Sequence, residues 1–88
     1  MNKIELIYNK LKNIYELKLT TTDKLDDGFT IDVPVIVGES KKGTFWLYQE
    51  EHEENIFVFS IRYNNGERTH THPYMIDDAI QTIKEFME

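Results

Sequence analysis

Ile4, Ile7, Tyr8, Leu11, Ile14 and Tyr15 recur at three- and four-residue spacing, and Lys3, Lys10 and Lys12 fall off that stripe. This period predicts an amphipathic helix over residues 2–18, with Asn2 as its N-cap. The polar stretch from Thr20 to Gly28 breaks the period and reads as a connector that closes on the Asp27-Gly28 turn pair. From Phe29 the period becomes two. Phe29, Ile31, Val33, Val35 and Val37 alternate with Thr30, Asp32 and Pro34, which predicts a first strand. Pro34 has no amide hydrogen to give a ladder, so this strand is expected at an edge or at a bulge.

A turn over residues 38–43 leads to a second strand, Thr44 to Gln49, rich in aromatic and β-forming residues. An acidic stretch, Glu50-Glu51-His52-Glu53-Glu54-Asn55, ends it. A third strand spans Ile56 to Tyr63 and reads as central, because its start is apolar on both faces. Asn65-Gly66 is a strong hairpin signal, and a fourth strand runs from Glu67 to about His72. Pro73 then suits the first turn of a second helix, with Ile76, Ala79, Ile80, Ile83 and Met87 as its stripe and Asp77 and Asp78 near its positive end. The order is helix–β-β-β(-β)–helix. It predicts one α+β domain over residues 1–88, a two-layer sandwich whose antiparallel sheet is covered on one face by both helices.

With Asn65-Gly66 as a two-residue loop, Asn64 pairs with Glu67, Ile61 with His70 and Phe59 with His72. His70 and His72 then share the apolar, helix-covered face with Phe57, Phe59 and Ile61. The assignment turns over if the register slips by one residue.

Composition narrows the function. In 88 residues there is no cysteine, which excludes a disulfide framework, a thiolate nucleophile and a cysteine zinc site. The N-terminal residues lack the apolar core of a signal peptide and no stretch is long enough to span a membrane, so a cytoplasmic location away from membranes is expected. Sixteen acidic residues against ten basic ones give a net charge of -6, the wrong sign for a duplex binder. The element order resembles that of double-stranded RNA-binding domains. Their phosphate-gripping lysines would fall where this chain has Met75-Ile76-Asp77-Asp78, which repels phosphate, so no nucleic-acid partner is expected.

Three constellations stand out. His70-Thr71-His72 puts two imidazoles side by side on a strand, and with His52 and Glu51, Glu53 or Glu54 they would offer a divalent metal site. The bland reading makes them half-buried histidines of a short strand. The loop holding Glu50, Glu51, Glu53 and Glu54 is the second, a cation-attracting or partner-attracting patch or else a solvated turn. Third, Trp46 and Tyr48 share a face of the second strand, and together with Ile36, Val58 and Arg62 they predict a partly exposed surface on the helix-free side of the sheet.

Ser40 and Ser60, the only serines, do not meet a histidine in the register above, and no glycine-rich phosphate cradle is present. The sequence thus points to a non-enzymatic protein without a cofactor that binds a protein partner, basic or a second copy of itself. In class and charge it resembles small immunity and antitoxin proteins and small phage or mobile-element proteins of bacterial type. Metal binding through His70, His72 and His52 is the alternative. The acidity is local: residues 45–67 hold five glutamates and one arginine, whereas residues 1–19 hold four lysines and two glutamates.

Overall fold

The computed structural model describes residues 2–21, 23–24, 30–31, 33–50 and 53–88. Helix α1 spans Lys3–Leu11, and the Asn2 side chain caps it by accepting the Glu5 amide at 2.8 Å. Ile4, Ile7 and Leu11 are buried, as the stripe requires. The helix is shorter than residues 2–18. Leu11 carbonyl oxygen accepts from both Ile14 and Tyr15, closing a turn, and the chain then extends into β1, Leu17–Thr20. Ile14 is left 61% exposed. The physical reason is a competition of periods. Leu17 and Leu19 also satisfy a two-residue alternation, and β1 gains a full ladder against β4, Val35–Ser40, whereas a longer helix would gain only one more apolar turn.

The remaining strands are β5, Gly43–Gln49, β6, Phe57–Tyr63, and β7, Arg68–Thr71, followed by helix α2, Met75–Met87. The five-stranded antiparallel sheet has the order β1-β4-β5-β6-β7. A separate two-stranded ribbon pairs β2, Asp23–Lys24, with β3, Thr30–Ile31. Ile4, Ile7 and Leu11 of α1 and Ala79, Ile83 and Phe86 of α2 pack on Ile36, Phe45, Leu47, Phe57, Phe59 and Ile61. Phe45 stacks on Phe59 at 5.0 Å between ring centres, and Phe86 of α2 meets both rings edge-on at 5.6 and 5.9 Å. Each such pair contributes about 0.5–1.5 kcal/mol beyond its burial. The result is the α+β two-layer sandwich that the patterning predicts.

Four local expectations are corrected. Pro34 does not mark an edge, because it precedes β4, and β4 lies between β1 and β5. The edge is held instead by β1, which the helical period concealed. Ile36 faces the helices, opposite Leu47, and is fully buried. Pro73 lies ahead of α2, whose N-cap is Tyr74.

The fourth correction has the widest effect. The β6–β7 loop has three residues, Asn64, Asn65 and Gly66. Tyr63 N–H donates to the Glu67 carbonyl at 2.8 Å and Gly66 N–H to the Tyr63 carbonyl at 2.9 Å. Gly66 takes φ +92°, and Asn65 Oδ1 accepts the Glu67 amide at 2.9 Å. This is a three-residue turn that ends on a left-handed glycine. One extra loop residue shifts the pairing to Arg62–Arg68, Ser60–His70, Ile61–Thr69 and Phe59–Thr71. His70 therefore lies on the helix-free face, and not under the helices with Phe59 and Ile61. All four residues of β7 are exposed, and so is His72 just beyond it.

Candidate interaction surface

The loop from β5 to β6 is tied down by its backbone. Glu50 N–H donates to the Ile56 carbonyl at 2.9 Å, Ile56 N–H to the Glu53 carbonyl at 3.3 Å, and Gln49 Nε2 to the Glu54 carbonyl at 2.8 Å. From α1, Lys3 Nζ donates to the Asn55 Oδ1 at 2.8 Å and the Glu54 carbonyl at 3.1 Å. It also lies 3.6 Å from the Glu54 carboxylate, whose side chain is 80% exposed. With the glutamate open to water the pair adds at most about 1 kcal/mol, and Lys3 offsets part of the charge that Glu54 presents.

The same loop holds the start of α2. Asn55 carbonyl oxygen accepts Met75 N–H at 2.7 Å, Phe57 N–H donates to the Pro73 carbonyl at 2.9 Å, and Ile56 bridges Tyr74. Asp78 Oδ2 accepts the Tyr74 amide at 3.0 Å, which anchors that carboxylate in the first turn. Glu53, Glu54, Asp77 and Asp78 are exposed at this end and Glu50 is half-buried. Tyr74 and Met75, beside them in the chain, are 57% and 48% exposed. Met75 carries φ +72°, a left-handed conformation that costs a side-chain-bearing residue roughly 1–2 kcal/mol. Glu51 and His52 lie outside the described residues.

On the helix-free face Val35 and Trp46 form a second, smaller buried cluster, flanked by half-buried Val37 and Tyr48. Trp46, expected to be partly exposed, is only 7% exposed. The Arg62 guanidinium lies 5.8 Å from its ring centre and is itself on the outside, while Val58 is half-buried. The sheet face is thus more polar at its surface than its sequence suggests.

The histidines are rearranged by the register. His70 Nδ1 lies 2.9 Å from Ser60 Oγ, a contact that the two-residue loop would forbid. Ser60 is 4% exposed, so its hydroxyl has its hydrogen-bonding need met by the imidazole. Among the described residues, no group of three histidine or carboxylate side chains comes together to hold a metal ion. Of the proposed set, His70 and His72 are exposed and His52 lies outside the described residues. Among the described residues, no helix is long and apolar enough to cross a membrane.

Compared with family models, with curated proteins and with solved structures, the chain matches none. The Ser60–His70 contact and the exposed Tyr74-Met75 corner escaped sequence reading. The first was hidden by the loop count. The second had a signal, an aromatic and a methionine just past a proline, which the helical stripe overrode.

Proposed function

We propose that this protein is a non-enzymatic interaction module that presents its acidic end to a basic protein partner. What carries the reading is Asn55, which bonds Lys3 of α1 with its side chain and Met75 of α2 with its carbonyl. These bonds gather loop carboxylates Glu53 and Glu54 and helix carboxylates Asp77 and Asp78 on anchored backbone. Charges held this way steer a partner of opposite sign and speed its association at low salt. Neutralisation of a basic protein, in the manner of immunity and antitoxin proteins, is the form of partnership that this charge and size suit.

The test begins with capture from host extract at two salt concentrations, followed by purification of the retained protein and rate measurements on the pair. Association should slow about tenfold or more as salt rises from low to physiological strength. The double variant Glu53→Lys, Glu54→Lys should associate at least about tenfold more slowly at low salt. A partner whose association rate ignores both salt and the double variant would overturn the reading.

A further inference from the structure

We infer that Asn65-Gly66 is a site of spontaneous deamidation, and that the isoaspartyl product frees β7 from the register that its loop imposes. This goes beyond the acidic-end reading and does not rest on it, since it concerns a covalent change at a different loop.

Of the six asparagines in the chain, Asn65 is the one followed by glycine. The reaction is an attack by the next residue's backbone nitrogen on the side-chain amide carbon. A glycine has no Cβ to hinder that approach, and its backbone reaches conformations closed to other residues. Residues 64–67 are all exposed, and apart from its chain neighbours no atom lies within 4 Å of where a Gly66 Cβ would stand. Water can enter there and ammonia can leave.

The turn prepares the electrophile. Asn65 Oδ1 accepts the Glu67 amide at 2.9 Å. That bond folds the side chain back over Gly66 and so holds Cγ beside the Gly66 nitrogen. It also aims a backbone donor at the oxygen on which negative charge develops. One contact opposes the reaction: Gly66 N–H donates to the Tyr63 carbonyl at 2.9 Å, so its proton is held until that bond opens. A short loop exposed throughout opens for far less free energy than global unfolding, which makes this bond a gate and not a bar. Once hydroxide has taken the proton, Gly66 N bonds to Asn65 Cγ, the Cγ–Nδ2 bond breaks, and ammonia leaves with a proton from water. Water then opens the five-membered imide at either carbonyl, giving aspartate or isoaspartate. One water enters and one ammonia departs, with nothing oxidised or reduced.

The isoaspartyl backbone runs through Cβ and Cγ, so the loop becomes one atom longer. That atom is taken up on the β7 side. Asn64 is pinned to the β4–β5 turn, its N–H donating to the Lys42 carbonyl at 3.0 Å and its Nδ2 to the Lys41 carbonyl. Glu67, by contrast, loses the Asn65 Oδ1 acceptor, and its closure with Tyr63 shifts. β7 places no side chain in the apolar core, so the ladder and the Ser60–His70 contact alone resist the change.

In the experiment the full chain is aged at body temperature in mildly alkaline buffer, mapped by peptide mass, and scored for isoaspartate with an isoaspartyl methyltransferase. Conversion at Asn65 should be at least about tenfold faster than at any other asparagine, yet slower than in a free peptide of residues 62–68, because the turn must open first. Gly66→Ala hinders the attacking nitrogen and Asn65→Gln enlarges the ring to be closed, and each should slow conversion at position 65 about tenfold or more. In the separated isoaspartyl form, the Thr69 and Thr71 amides that bond β6 should exchange at least about tenfold faster than in the unmodified protein, while β5 amides keep their rates. Asn65→Asp, with the same charge and no extra backbone atom, should keep β7 close to wild type. An Asn65 still intact when the free peptide has fully converted, an equal rate at another asparagine, indifference to both Gly66→Ala and Asn65→Gln, or an isoaspartyl form whose β7 amides exchange like those of Asn65→Asp would each overturn the proposal.

Discussion

Single backbone positions decide how tightly the strands can approach. Gly43 opens β5 with φ +151°, and a Cβ there would lie 2.1 Å from the Arg62 carbonyl oxygen and 2.8 Å from the Tyr63 Cα. Both obstacles are backbone of the neighbouring strand, so neither can swing aside. Gly43→Ala should destabilise by about 2–4 kcal/mol, seen in denaturant unfolding as a lower midpoint with an unchanged slope. Met75 presents the reverse case. Its φ of +72° strains a side chain that is half out in water, while its amide is held by Asn55. Met75→Gly relieves that strain and loses some unfolded-state restriction. It should stabilise by roughly 0.5–1 kcal/mol, and a melting temperature below wild type would refute that sign. Neither position was legible in the sequence, because φ is set by what the neighbouring strand or loop demands. The Asn65-Gly66 signal shows the limit well: the dipeptide announces a hairpin, but it serves two-residue and three-residue loops alike.

At the level of elements, the apolar stripes of α1 and α2 and the alternation in β5 and β6 were readable because one face of each packs on a single core. The end of α1 was not, since Tyr15 satisfies the helical stripe and the observed turn equally. In the structure Tyr15 is half-buried, and its hydroxyl donates to the Glu88 carboxylate, joining the α1–β1 turn to the end of α2. That hydrogen bond, then burial, then the negative charge of Glu88 raise the Tyr15 pKa above the ordinary 10.0. The neutral phenol is the form that the fold favours. The clamp is therefore intact below pH 10 or so and is lost as the pH climbs through the raised value. Ultraviolet titration of the wild type minus Tyr15→Phe should isolate this group above the ordinary midpoint. Glu88→Gln should bring it back toward that midpoint, and an unmoved midpoint would show that Glu88 is not the cause.

Across the whole molecule, the helices cover one face of the sheet, and exposed carboxylates gather where the β5–β6 loop meets the start of α2. The acidic end was visible as a run of glutamates, although the contribution of Asp77 and Asp78 needed the bonds from Asn55 to be seen. The alignment of Arg62, Arg68 and His70 was invisible, because they are scattered over nine positions that only the ladder brings together. Patterning fails here for a physical reason. A strand exposed on both faces carries no apolar code, so nothing in its own residues states which way it faces.

β7 adds no side chain to the apolar core, and its orientation is recorded in the length of the loop before it and in the Ser60–His70 contact. Elsewhere in the sheet, a slip of one residue would drag phenylalanines into water and unfold the chain. Here the same slip would exchange a strip of arginine and histidine for one of threonine, at the cost of the Ser60–His70 contact but with the apolar core left alone. The outermost strand is thus where this small fold can acquire a new specificity by altering one loop residue, with its stability held elsewhere.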